Sequence, residues 1–130
     1  MAITFNQCTS DKESSDSATE VPSTAEIYSV EAEEFYELSQ KSIAQLVDVR
    51  TASEYADGHI SGAVNMDIYE HDFSQKIKEL SKDKPVLVYC RSGSRSMKAT
   101  EVLEEQGFEL IYNLEGGINS WNSAGFETEK

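Results

Sequence analysis

The chain has 130 residues, a formal net charge of −13, 38% hydrophobic residues and two cysteines. That length suits one ordinary domain, and the acidity excludes nucleic acid as a partner, because phosphate recognition needs a basic surface. No apolar run reaches the roughly 20 residues that cross a bilayer, and two distant cysteines with two histidines suggest neither a disulfide framework nor a structural zinc site.

Residues 1–25 read as a disordered, acidic and Ser-rich tail, and residues 26–130 as the folded domain. The stretch "CTSDKESSDSATEVPSTAE" has too few large apolar residues to offset the entropy of ordering. "MAITFNQC" lacks a basic segment and is not a complete signal peptide. Cys8 followed by a polar spacer resembles the start of a bacterial lipoprotein, but Phe5, Asn6 and Gln7 replace the small residues expected there. The expectation is a cytoplasmic monomer; the alternative is a periplasmic or lipid-anchored protein held through Cys8.

From residue 26 onward, strand-like and helix-like segments alternate. "AEIYSV" reads as a strand ending at Ser29, a plausible helix N-cap. "VEAEEFYELSQ" reads as a helix with Val30, Phe35 and Leu38 roughly on one face. "IAQLVDV" is a strand, "TASEYADGH" a short helix stopped by Gly58, and "GAVNM" a short strand. "FSQKIKELSKDK" carries Phe73, Ile77 and Leu80 on one stripe and predicts a helix. "PVLVY" is a continuous apolar run, the mark of a parallel strand covered on both faces. "RSMKATEVLEEQG" is a helix stopped by Gly107, "FELIYNL" a strand, and "GGINSWNSAG" a last helix with Ile118 and Trp121 inward. Such alternation implies parallel strands with right-handed crossovers, an α/β layered domain.

The segment "VLVYCRSGSRSMKA", residues 86–99, places a thiol at the carboxyl end of the buried strand, where ligands bind in open α/β sheets. The next helix starts near Arg95, so its free N–H groups and positive dipole end face the loop. A tight loop of small residues turns successive N–H groups into an anion nest. Gly93 permits the backbone angles of such a turn, and Arg91 and Arg95 add positive charge. Together these features would favour thiolate at Cys90. The alternative is that Cys90 is a small buried hydrophobe capping a core strand.

"CRSGSRS" after "VLVY", together with "LVDVR", "GHISGAVNM" and "LEGGINSW", resembles the single-domain rhodaneses (thiosulfate sulfurtransferases) over about residues 26–126. Ser61 in "GHISGA" stands where many relatives carry proline, which is a turn difference. The resemblance implies a rhodanese-like α/β fold, a five-stranded parallel sheet flanked by helices on both faces. It also implies that Cys90 takes a sulfane sulfur from thiosulfate or a persulfide donor, holds it as a persulfide, and passes it to a thiol or cyanide. The alternative within the family is a persulfide carrier or partner-binding module without efficient thiosulfate turnover. No cofactor and no metal is expected. Cysteine phosphatases space their cysteine and arginine as C-x5-R. Here the spacing is C-x4-R, Cys90 to Arg95, with Ser96 at the later position, and a shorter loop makes a smaller pocket.

The active-site loop on this reading is Arg91, Ser92, Gly93, Ser94 and Arg95, with Cys90 as nucleophile and loop N–H groups stabilising the thiolate and persulfide. Arg91 is a candidate for the sulfonate end of thiosulfate or a solvated loop arginine, and Arg95 for pairing with a carboxylate. Asp48 ends another strand, on the same sheet edge as Cys90. The resemblance puts Asp48 and Arg50 near the loop, as a structural pair. His59 is expected to be a hydrogen-bonded turn residue, because no proton transfer needs it once the thiolate exists.

Overall fold

The computed structural model describes residues 24–130. The tail expected over residues 1–25, with Cys8, lies outside the described residues except for its last two positions. The elements in chain order are β1 (Glu26–Val30), α1 (Ala32–Ser39), β2 (Gln45–Asp48), α2 (Ala52–Asp57), β3 (Val64–Asn65), α3 (Phe73–Lys76), β4 (Val86–Tyr89), α4 (Ser94–Glu105), β5 (Leu110–Leu114) and α5 (Gly117–Ser123). The five strands pair in the order β1-β5-β4-β2-β3, all parallel. This is the expected α/β architecture, with β4 at the centre.

Every residue of β4 is buried, as its unbroken apolar run requires of a strand covered on both faces. Its side chains alternate between two cores. Val86, Val88 and Cys90 join Phe73, Ile77, Ala99 and Leu103 on the face covered by α3 and α4. Leu87 and Tyr89 join Phe35, Leu114, Ile118 and Trp121 on the face covered by α1 and α5. Phe35 meets both Tyr89 and Trp121 edge-on, with ring centroids 6.3 Å apart in each case.

Two local expectations are corrected. Ser29 is not an N-cap. It stays in β1 because the strand runs one residue further in its ladder with β5, pairing Ser29 with Asn113 and Val30 with Leu114; the N-cap of α1 is Glu31, with no side-chain cap bond. The helix expected from Phe73 to Lys84 is one α-turn followed by a 3-10 turn, Ile77–Glu79. Its chain is drawn off by Gln45, whose amide accepts from the Ser81 N–H at 2.7 Å and donates to the Ser81 carbonyl at 2.9 Å. Pro85 further disfavours helical geometry at Lys84.

At the carboxyl edge of the sheet, Asp48 is in register with Tyr89 and with Asn65. The loops that follow β2, β3 and β4 therefore gather around Cys90. Among the described residues, no helix is long and apolar enough to cross a membrane.

Candidate active site

Cys90 is 1% exposed and directly follows β4. The loop then turns at once into α4, whose N-cap is Gly93, a residue with no side chain to satisfy the helix's first N–H groups. Two of them, those of Gly93 and Ser96, turn to the sulfur. The Gly93 N–H donates to Cys90 Sγ at 3.0 Å. Burial pushes the thiol pKa up, but hydrogen bonds from the Ser96 hydroxyl and from the N–H groups of Ser96, Gly93 and Ser92 outweigh it. The net result holds Cys90 below the ordinary thiol value. A cup of N–H donors around a strand-end sulfur can stabilise a thiolate and any anion bonded to it.

Ser96 was not singled out from sequence as a donor. It is fully buried in the first turn of α4. Its single hydroxyl proton has two acceptors, the Gly93 carbonyl at 3.1 Å and the sulfur. A charge-assisted bond is the stronger of the two, so ionisation of Cys90 draws the hydroxyl toward sulfur. Ser96→Ala should therefore raise the Cys90 pKa toward the ordinary thiol value, read as the pH midpoint of iodoacetamide alkylation. An unchanged midpoint would show that the backbone donors alone set the ionisation.

Arg95 does not point a free guanidinium at the sulfur. It grips Glu54 with two bonds, Nη1 to Oε1 at 2.7 Å and Nη2 to Oε2 at 2.9 Å. Glu54 in turn closes a capping box on α2, accepting from the Thr51 N–H at 3.1 Å while the Glu54 N–H donates to Thr51 Oγ1 at 3.2 Å. Hydrogen bonding to Arg95 lowers the Glu54 pKa to about 2. Because the folded pKa is depressed, this contribution to stability is in place above the ordinary value of 4.5 and fades as pH falls toward 2. The pair is part-exposed, so solvent screens it and its main effect is positional. Glu54 too was missed, although "TASE" carries the local capping-box pattern.

Arg91 is exposed and lines a polar cavity of about 340 Å³ with Arg50, Asp57, Asn119 and Asn122 among its walls. Ser92 and Ser94 are exposed. The backbone below them is pinned from the other side by α5, where the N–H groups of Ile118 and Asn119 donate to the carbonyls of Cys90 and Arg91 at 2.9 and 3.1 Å.

Asp48 and Arg50 form a buried pair. Arg50 Nε lies 3.0 and 3.1 Å from the two carboxylate oxygens and Nη2 lies 2.7 Å from Oδ2; Nη2 also donates to the Gly58 carbonyl at 2.7 Å. The Asn65 amide bridges the carbonyls of Asp48 and Arg50, at 3.1 and 2.9 Å. Arg50 also stands 5.7 Å from the Tyr89 ring centroid, one residue before Cys90. These bonds fix the loop after β2 as a wall of the site. His59 lies stacked on Tyr55 at 3.8 Å, its Nδ1 3.0 Å from the Tyr55 carbonyl. Its backbone exchanges two 2.8 Å bonds with Glu129, so it ties down the C-terminal segment. Among the described residues, no group of three or more His, Cys, Asp or Glu side chains could hold a metal ion.

The fold agrees with three comparisons. A family model described as Rhodanese-like domain matches residues 31–124. The Bacillus subtilis (strain 168) protein YqhL is 42% identical over 78 residues, 60% of this chain and 60% of its own length. Thiosulfate sulfurtransferase GlpE of Shewanella oneidensis is 33% identical over 88 residues, covering 68% of this chain and 85% of that protein. The crystal structure of a rhodanese-related protein from Thermoplasma volcanium superposes with a TM-score of 0.69 at 32% identity, over 78% of this chain and 97% of that one. A match across most of the folded region, repeated in sequence and in three dimensions, makes this chain a member of the rhodanese-like domain family.

Proposed function

We propose that the chain is a sulfurtransferase that carries a sulfane sulfur on Cys90. The observation that carries this reading is the donor cup, a loop folded back on one buried sulfur with the Gly93 N–H bonded to it at 3.0 Å, while Ser92 and Ser96 add to the lowering of its pKa. The Cys90 thiolate attacks the outer sulfur of thiosulfate. The S–S bond breaks, its electron pair leaves with sulfite, and the sulfur remains on the protein as a persulfide. The outer sulfur is then attacked by a thiolate or cyanide, and the electron pair of the Cys90 S–S bond returns to Sγ. Two half-reactions through a covalent intermediate imply ping-pong kinetics. Exposed Arg91, beside the cup, suits the anionic end of thiosulfate.

Steady-state turnover with varied thiosulfate and cyanide tests the reading. Parallel lines in double-reciprocal plots are expected. Uptake of sulfur in a single turnover with no steady-state thiosulfate reaction would instead identify a persulfide carrier.

Phosphatase turnover should be negligible. Ser96 occupies the position where C-x5-R would place arginine, and the Arg95 guanidinium is committed to Glu54. Hydrolysis of p-nitrophenyl phosphate should stay at least a hundredfold below thiosulfate turnover, since removing a single preorganised charge partner costs on the order of 10²–10³ in rate. Comparable Cys90-dependent rates would reverse the assignment.

A further inference from the structure

Beside the cup, on the α4 face, lies a second cavity of about 320 Å³ lined by Ile68, Tyr69, Ser94, Arg95 and Lys98. Two of its walls, Ser94 and Arg95, belong to the loop that holds Cys90, and Arg95 is close enough to Cys90 to interact with its charge. Ile68 is half-buried, while Tyr69 is 70% exposed, the most exposed of the large hydrophobic side chains among the described residues. The backbone N–H of Tyr69 donates to the Asp67 carboxylate at 2.9 Å, and its ring lies 5.8 Å from the Arg95 guanidinium. Arg95 is already satisfied by Glu54, whereas Lys98 is exposed and has no ion pair among the described residues. Against a chain charge of −13, residues 90–100 carry Arg91, Arg95 and Lys98 and no acid.

We propose that this cavity is the acceptor subsite, which seats a small organic thiol bearing a carboxylate, with Lys98 holding the carboxylate and Ile68 and Tyr69 covering the carbon skeleton. The inference rests on the sulfur-transfer reading above. Thiosulfate has no carbon skeleton and no use for an apolar wall. A cavity of this size suits a small molecule, and the two cations at its rim repel a cationic thiol. In the transfer, the acceptor thiolate attacks the outer sulfur of the protonated Cys90 persulfide. A new S–S bond forms, the Cys90 S–S bond breaks with its electron pair left on Sγ, and the organic persulfide leaves with the proton. No oxidant is consumed.

The test uses the full chain, loaded with thiosulfate, freed of excess reagent and mixed with 3-mercaptopropionate, with 2-mercaptoethanol or with cyanide. Loss of the bound sulfur is followed by intact mass. Lys98→Met should slow discharge to mercaptopropionate about fivefold, through a higher half-saturating concentration, as expected for one part-exposed charge contact. Lys98→Glu should slow it further. Both variants should load sulfur, and discharge it to mercaptoethanol and cyanide, within twofold of the parent. Tyr69→Ala should slow both organic thiols and spare cyanide. Added salt should shrink the effect of Lys98. Equal slowing with all three acceptors, or none with mercaptopropionate, would overturn the subsite alone. A parent protein that takes no sulfur onto Cys90 would overturn the subsite and the sulfur-transfer reading together.

Discussion

Cys90→Ser should remove sulfur uptake altogether while leaving the fold intact. Treatment of the parent with thiosulfate should add one sulfur atom to the protein mass, and dithiothreitol should remove it. Cys8→Ser should keep both behaviours. In Cys90→Ser the donors that now meet Sγ would meet a hydroxyl oxygen, so no buried N–H is orphaned and the stability cost should stay within about 1 kcal/mol. A serine hydroxyl without an adjacent base is too weak a nucleophile to open the S–S bond, and the rate should fall by on the order of 10³-fold or more. The pH profile of loading follows from the depressed Cys90 pKa. The thiolate is the reacting form, so loading should reach its plateau below the ordinary thiol value of about 8.5 and should decline on acidification through the lowered pKa. An ordinary thiol would instead gain about tenfold per pH unit up to about 8.5. That steeper profile would show that the cup leaves Cys90 unactivated. Sulfur found on Cys8 would remove the assignment entirely.

Gly117→Ala should damage both the stability of the domain and the loading of sulfur. Gly117 opens α5 at φ 63°, a left-handed conformation that costs a residue with a Cβ about 1–2 kcal/mol. The added methyl would also fall 2.6 Å from the Cys90 carbonyl oxygen and closer still to that of Arg91, and neither backbone atom can rotate aside. The start of α5 would have to lift, breaking the bonds from the Ile118 and Asn119 N–H groups to those carbonyls. A total loss of roughly 2–4 kcal/mol is expected, which lowers Tm by about 10–20 °C for a domain of this size. Sulfur loading should slow at least tenfold, because the floor of the cup moves. Gly125→Ala is the control, with a similar φ of 91° but open space around it. It should cost only the backbone strain and leave loading unchanged. Equal effects from both changes would mean that strain alone, and not the close approach, sets the cost.

What could be read from sequence was local. The unbroken apolar run 86–89 is enough to name a doubly covered strand, and the small, cationic residues after Cys90 are enough to place a donor cup at its end. Pairings between distant residues were not legible. Ser29 was expected to start a helix because serine caps helices well, but its ladder partner lies 84 positions away at Asn113. The helix from Phe73 is cut short where an amide 36 positions back, Gln45, binds Ser81. Glu54 shows both kinds of information. Its capping box with Thr51 is written in four consecutive residues, whereas its bond to Arg95 spans 41 positions and no periodicity announces it. Ser96 escaped because a serine in the first turn of a helix has many uses, and only its full burial against the sulfur singles one out.

The alternation of β4 has a consequence for how this site can vary. Cys90 stands an even number of residues from Val86 and so shares its side of the sheet, with α4. A single-residue insertion or deletion within 86–89 would invert that parity and deliver the thiol to the compartment of Phe35 and Trp121, away from its donors. Changes of two residues would preserve the side while shifting the depth. The two loop arginines also part company: Arg91 borders the cavity shared with α5, while Arg95 borders the one on the α4 side. The two cavities share no lining residue, and the Glu54–Arg95 pair, with one partner in each, links them across the edge of the sheet.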